Sequence, residues 1–323
     1  MTEVLTIGEP LALFASNNLN LTIDNSTDFT KYLAGAEVNV AIGINRLGHS
    51  VEYLAQVGND PFGNFVISEL EKNHIFTSNI SRSDEYPTGV EFKALTDHGD
   101  PQTFYLRKNS AAAHIDSDIV KKLNVSNFKL AHLTGIFPAL SSKTYQTTLS
   151  LIKKLTENDI PICFDPNLRP ALWPDKAQMC ETLNLLAKSA TIFLPGLEEA
   201  QILTHLNTPE EISSHYFQQG PKLKLITIKD GARGTYIFTR DHFKAFIPSF
   251  KVEHIVDTVG AGDGFALGLI TALLEKKDLK QAVTQANAIG ALAIQVHGDN
   301  TGYPTQAQLQ AFLANHTLKT NGD

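Results

Sequence analysis

Asp257-Thr-Val-Gly-Ala-Gly-Asp-Gly-Phe265 is the stretch on which the reading of this chain turns. Four small residues, Gly260, Ala261, Gly262 and Gly264, surround one carboxylate, Asp263. The run that follows, Phe265–Leu274, is strongly apolar, with Phe265, Leu269 and Leu273 on one helical face and Ala266, Ile270 and Leu274 beside it. A glycine-rich turn that opens a buried helix leaves bare N–H groups at the positive end of the helix dipole. Such a place suits a phosphate or a developing negative charge. The plainer reading is a tight turn with a helix-capping Asp. A second acid upstream, Asp257, and the length of the pattern weigh against it. The stretch is not a Walker A loop, because no GxxxxGK[ST] occurs, and Phe265 stands where the dinucleotide fingerprint needs its last Gly.

Outward from this turn, short apolar runs alternate with amphipathic ones. Val4–Ile7, Val51–Val57, Leu130–Leu133, Ile162–Phe164, Ile192–Leu194 and Lys224–Ile228 read as strands. Ala36–Leu47 (closed by Gly48), Gly63–Asn73, Ser142–Asn158, Lys176–Ser189 and Glu198–Thr204 read as helices. The alternation predicts an α/β fold, a mostly parallel sheet flanked by helices. Two regions break the rhythm. Leu11–Leu33 is polar and Asn-rich with a strand signal at Leu11–Ala15, and Thr88–Leu106 holds Gly89–Leu95 and Thr103–Leu106, spaced as a hairpin around Asp97-His-Gly-Asp-Pro. The expected division is a core of residues 1–10, 34–87 and 108–323 and a small β sheet of residues 11–33 and 88–107 that projects from it. The polar tail Thr317–Asp323 is expected to fray.

A chain of 323 residues with 42% apolar and 19% charged side chains is neither disordered nor fibrous. Its net charge of −7 argues against binding nucleic acid along a phosphate backbone, but not against one small anion in a basic pocket. Cys163 and Cys180 form no CxxC pair and read as reduced thiols. No signal peptide and no membrane-length apolar run is visible, so a cytoplasmic protein with no membrane partner is the expectation.

Asp257–Phe265 resembles the C-terminal signature of the ribokinase-like (PfkB) carbohydrate kinases. Other features of that family recur in order over nearly the whole chain: Leu33-Ala-Gly-Ala-Glu-Val-Asn-Val-Ala-Ile-Gly43 with Arg46-Leu-Gly48, Val57-Gly-Asn-Asp-Pro-Phe-Gly63 and Lys229-Asp-Gly-Ala-Arg-Gly234. The resemblance implies a Rossmann-like domain with a β lid, ATP and Mg²⁺ as cofactors, and Asp263 as the base that takes the proton of a sugar hydroxyl. Gly260, Ala261 and Gly262 would form the anion hole. An aspartate at a helix N-terminus is expected to stay charged and to be a weak base, which the loose transition state of phosphoryl transfer tolerates. The nucleotide side would take Asn167, Glu199, Lys229, Gly231, Gly234, Asn287 and Gly298, in addition to Gly260 and Gly262. For Asn287 the plain alternative is ordinary helix packing. Glu199 would serve Mg²⁺ through water. In Gly196-Leu-Glu-Glu199, however, Gly196 replaces the asparagine of the family's Asn-x-x-Glu motif. Asp257 would be the position for a K⁺ ion.

The substrate is read from two arginines. Phe104-Tyr-Leu-Arg-Lys-Asn-Ser-Ala-Ala112 ends the hairpin, and Asp165-Pro-Asn-Leu-Arg-Pro-Ala-Leu-Trp173 follows a strand end, where open α/β sheets put their ligands. Two guanidinium forks near one pocket suit an acidic sugar. The plain alternatives are a solvated Arg107, an Arg169 paired with Asp165 or Asp175, and an ordinary sheet aromatic at Tyr105. The Tyr-x-Arg-x-x-Ser-Ala run and Gly35-Ala-Glu-x-Asn39 resemble the family members that act on 2-keto-3-deoxy-D-gluconate. The resemblance implies transfer of phosphate from ATP to the terminal hydroxyl, giving the 6-phosphate, with Gly8, Glu9, Gly35, Ala36, Asn39, Tyr105, Arg107 and Arg169 on the sugar side and a contribution from Tyr86. A fructokinase is the alternative within the family. A non-catalytic sugar- or nucleotide-binding protein and a nucleoside kinase are more distant ones. An exposed lid with free edges implies a homo-oligomer through the lid.

Overall fold

β-branched and leucine-rich runs bounded by Gly, Pro and Asn form the strands, and the amphipathic stretches between them form the helices that cross back over the sheet. The computed structural model describes residues 2–97 and 101–319. Among these, the strands are β1 Val4–Ile7, β2 Leu11–Leu19, β3 Phe29–Ala34, β4 Val51–Gly58, β5 Ile80–Ser83, β6 Val90–Leu95 and β7 Thr103–Leu106. They continue with β8 Leu130–Thr134, β9 Ile162–Asp165, β10 Ile192–Phe193, β11 Leu225–Lys229, β12 Gly234–Thr239 and β13 Lys244–Pro248. One sheet has nine strands in the order β13-β12-β11-β10-β9-β8-β1-β4-β5. From β5 to β11 every pairing is parallel, and β12 and β13 add an antiparallel hairpin at one edge. The inner strands β1, β8 and β9 are buried along their whole length, as parallel strands covered on both faces must be.

Two apolar layers cover that sheet. One joins Val38 and Ile44 of the helix Ala36–Arg46 to Leu267 and Ile270 of the helix Ala261–Leu274 and Ile289 of the helix Leu279–Ala293. The other joins Leu151, Leu183, Ile212 and Tyr216 from helices Ser142–Glu157, Lys176–Ser189 and Pro209–Gln219. No helix among the described residues is long and apolar enough to cross a membrane.

A second, four-stranded sheet has the order β3-β2-β6-β7. The Asn-rich stretch after Leu11 forms β2 and pairs antiparallel with β3, which composition alone did not reveal, because Lys31 and Tyr32 are exposed and only Ala34 of β3 is buried. β6 and β7 pair antiparallel at the expected hairpin; its turn residues 98–100 lie outside the described residues. The expected fraying of the C-terminal tail is corrected for its first residues. Leu318 forms a bridge to Phe250, and the Lys319 amide donates to the Ser249 carbonyl at 2.8 Å. Residues 320–323 lie outside the described residues.

Candidate functional site

The helix Ala261–Leu274 begins at Gly260, whose φ is +80°. A Cβ at Gly260 would lie 2.0 Å from the carbonyl oxygen of Asp299, so both the left-handed backbone and the close approach require glycine. The Gly260 carbonyl accepts the Tyr303 hydroxyl at 2.7 Å. The first-turn amides of Gly262 and Asp263 have no intrahelical acceptor. Gly262 is exposed, and a Cβ built there would meet only the Lys229 Nζ, at 3.9 Å. A helix N-terminus and an ammonium thus face one open space, which favours an anion there.

Asp263, in the same first turn, is half-buried at this space. Its Oδ2 accepts the Asn39 amide nitrogen at 2.9 Å, and Asn167 approaches Oδ1 at 3.5 Å. Burial pushes the carboxyl up to about 7, aided by Asp165 and Glu37, against the pull of the Asn39 hydrogen bond and Arg169. This corrects the expectation of a weak base kept charged by the helix dipole. Desolvation is the largest cause, and the like charges of Asp165 and Glu37 add to it.

Asn39 is itself held. Its Oδ1 accepts the Asn300 amide nitrogen at 3.0 Å, and Arg46 donates to the Asn300 carbonyl at 2.7 Å and the Tyr303 carbonyl at 3.1 Å. Asn300 and Tyr303 carried no signal in the sequence. Arg46 stood in the Arg46-Leu-Gly48 run without an assigned task.

Strand ends supply the other charges. Asp165 ends β9 and Lys229 ends β11, and their ion pair at 2.8 Å is nearly closed to solvent. Burial opposes the charge on Lys229, but Asp165 and Glu199 hold it above the usual lysine range. Glu199 is not a loose surface acid. Its Oε1 accepts the Leu168 amide at 2.8 Å and its Oε2 the Gly196 amide at 2.7 Å, which ties the loop after β9 to the helix Leu197–Thr204. Asn167 has a φ of +38° in that loop, and its amide donates to Asp165 at 3.1 Å.

On the other side of Asp263 the geometry departs from expectation. Arg107 is not solvated. Its Nε donates to Glu9 Oε2 at 2.6 Å and its Nη2 pairs with the same oxygen. Ser110 donates to the second oxygen of Glu9, so that carboxylate is fully engaged. Glu37 lies between Gly8 and Thr134, accepting the Thr134 hydroxyl, and burial pushes it up to about 7. Gly35, with φ +130°, and Ala36 start the helix that carries Glu37 and Asn39. Tyr105 sits opposite Glu91 in the β6–β7 register, and partial burial with the Glu91 carboxylate pushes it up to about 12. Arg169 is exposed and donates to the Leu168 carbonyl at 3.0 Å. Both acids suggested as its partners are otherwise engaged: Asp165 pairs with Lys229, and Asp175 accepts the Gln178 amide. Tyr86 stacks on His114, with ring centroids 3.5 Å apart.

Asn287 is buried, accepts the Thr235 hydroxyl at 2.8 Å and donates to the Ile247 and Pro248 carbonyls. Its task is to brace β12 and β13. Gly231, in the turn between β11 and β12, and Gly234, which opens β12, have positive φ, as does Gly298 in the loop before Asn300. Asp257 accepts the Val259 amide at 3.0 Å, and its other oxygen faces the Lys93 ammonium at 3.8 Å. Ser110, Asp165, Glu91 and Lys93 are residues to which the sequence gave no role in the site. Ser110 and Asp165 lay inside quoted runs, while Glu91 and Lys93 were ordinary strand charges until folding turned them inward.

Residues 1–306 match the sequence pattern of the pfkB family of carbohydrate kinases. The chain is 42% identical over 313 residues to a 2-dehydro-3-deoxygluconokinase of Bacillus subtilis (strain 168), covering 97% of this chain and 95% of that protein. Its fold matches an E. coli protein solved with ATP and Mg²⁺, with a TM-score of 0.86, 26% identity, and 98% of this chain and 100% of that one covered. A Vibrio cholerae O395 fructokinase variant solved with fructose, ADP and potassium ion superposes with a TM-score of 0.83 at 25% identity, covering 97% of this chain and 98% of that one.

Proposed function

This chain belongs to the pfkB family of carbohydrate kinases, and from that premise we propose that it phosphorylates 2-keto-3-deoxy-D-gluconate at its terminal hydroxyl, with ATP as donor, giving the 6-phosphate. The observation that carries the reading is the shared space in front of Asp263, the first-turn amides and Lys229, in a chain 42% identical to a 2-dehydro-3-deoxygluconokinase over 97% of its length.

Asp263 takes the proton of the sugar hydroxyl as the oxygen attacks. With its carboxyl near 7, it is closer to the working range of a general base than an ordinary aspartate. Asn39 fixes the orientation of that carboxylate, and Asn300 and Arg46 fix Asn39. The turn Gly260–Ala261–Gly262, with the Gly262 amide free of any intrahelical acceptor, and the Lys229 ammonium receive the charge that builds on the transferred phosphoryl oxygens. On the sugar side, Arg107 keeps Nη1 and part of Nη2 for the carboxylate of the sugar acid while Glu9 holds the rest of the fork. Arg169 and Tyr105 complete that side, with Gly8, Gly35 and Ala36 supplying backbone.

Asn167 and Glu199 would face the phosphates of bound ATP. Glu199 already accepts two amides, so it fits a magnesium ion that keeps its water shell. Magnesium bound with ATP supplies neutralisation of the phosphate charge. A fructokinase is the second reading, because the fructose-bound relative shares the fold.

The test is ADP release measured side by side with the keto-deoxy acid, fructose and ribose, in wild type and in Asp263→Asn. The keto-deoxy acid is expected to be the preferred substrate. The variant is expected to lose at least about a thousandfold in kcat with ATP binding nearly intact. Faster turnover of fructose removes the acid reading, and near-normal turnover of the variant removes the role of Asp263.

A further inference from the structure

We propose that the Lys93 ammonium is a built-in cation for the loop that enters the helix Ala261–Leu274, so that this kinase works without a free monovalent ion. The proposal rests on the reading of the chain as a kinase and concerns how its anion hole is held.

Two loops must stay together for the first-turn amides to point into the site. In one, the Val256 and Asp257 amides both donate to the Ile294 carbonyl, at 2.8 and 3.3 Å, and Asp257 Oδ1 accepts the Val259 amide. In the other, the Asp299 carbonyl presses against Gly260, and the Tyr303 hydroxyl donates to the Gly260 carbonyl. Each loop brings one carboxylate, Asp257 or Asp299, toward a common point. Two such groups repel unless a cation lies between them.

That cation is Lys93. It comes from β6 of the second sheet, its side chain is 14% exposed, and its Nζ is 3.2 Å from Asp299 Oδ1 and 3.8 Å from Asp257 Oδ2. Burial works against its charge, but Asp299 and Asp257, with Glu91, hold it above the usual lysine range. The residues around Asp257 therefore do not fit a bound potassium ion: a second cation there would meet the Lys93 ammonium, 3.8 Å from Oδ2, at the same charge. The fructokinase solved with potassium shows that the fold accepts a free ion. Here a tethered ion replaces it. The tether also links the second sheet, which carries Tyr105, to the turn that carries the anion hole.

The experiment compares the full chain in choline, potassium and ammonium chloride at matched ionic strength, by ADP release and by thermal melting without nucleotide. Wild type is expected to change by less than about twofold in kcat/KM and to melt at the same temperature in all three salts. Lys93→Met is expected to lose at least about tenfold in choline and to regain part of the loss in potassium or ammonium. Those two salts are also expected to raise its melting temperature selectively. Lys93→Arg is expected to stay independent of potassium. Severalfold activation or selective stabilisation of wild type by potassium overturns the proposal, as does a Lys93→Met variant that matches wild type in choline. Should Lys93→Met fail to fold, the wild-type comparison decides alone. Should no sugar be phosphorylated, the melting data still test Lys93 while the substrate reading falls.

Discussion

Two carboxyls with raised pKa values, Asp263 and Glu37, lie within each other's field at the floor of the site, and each makes a different prediction. Asp263 must be ionised to accept a proton. The kcat/KM for the sugar is therefore expected to rise about tenfold per pH unit up to pH about 7 and then to level off. A pH profile of kcat/KM flat from pH about 5 to 8 removes Asp263 as the base. Glu37 touches Thr134 and makes a stability prediction. Its folded value, about 7, lies above its unfolded value of 4.5, so the folded state holds the proton more tightly. The stability tied to that proton is fully present below pH 4.5 and is lost as pH rises through about 7. Glu37→Gln keeps the hydrogen-bonding shape without the ionisation. Its melting temperature is expected to fall less than that of wild type between those pH values. Sequence showed Asp263 because its neighbours are small and local. It did not show Glu37, whose burial depends on Gly8 and Thr134 arriving from other strands.

The parallel sheet puts its strand ends side by side, which is why Asp165 of β9 and Lys229 of β11 meet although 64 residues separate them. Removing one partner of such a buried pair leaves an unmatched charge. Lys229→Met is expected to cost about 3–5 kcal/mol of stability and to raise the KM for ATP. The double variant Asp165→Asn, Lys229→Met is expected to recover much of the stability in denaturant melts without recovering activity. A single variant as stable as wild type would show that the pair is not sealed from water. Helices such as Pro61–Lys72, Ser142–Glu157 and Lys176–Ser189 were legible because their apolar periods are local, and Asp60, Ser141 and Asp175 each accept an amide of the first turn they precede; Pro209–Gln219 and Gln306–Asn315 were not read. The strands β3, β12 and β13 were not legible, since β3 is largely solvent-facing and the β12–β13 hairpin is specified by pairing with β11.

At the scale of the molecule, the second sheet is joined to the first by charge. Arg107 and Ser110 close on Glu9, and Lys93 closes on Asp299. Its outer strands β3 and β7 have open edges, and Tyr32, Phe104 and Leu106 are each more than half exposed. We propose that this sheet pairs with that of a second copy. Sedimentation is expected to find a dimer that Phe104→Asp shifts toward monomer, and a wild type that is monomeric at all concentrations removes the expectation. The sequence by itself determined the alternation of strands and helices, the glycine turn before Asp263 and the family to which that turn belongs, because each is written in contiguous residues. Only the tertiary structure decided that Arg107 is clamped by Glu9, that Asn287 braces a hairpin, that Asp263 is a stronger base than its type and that Lys93 lies between two acids. Those properties come from burial and from charges distant in sequence, and neither exists until the chain has folded.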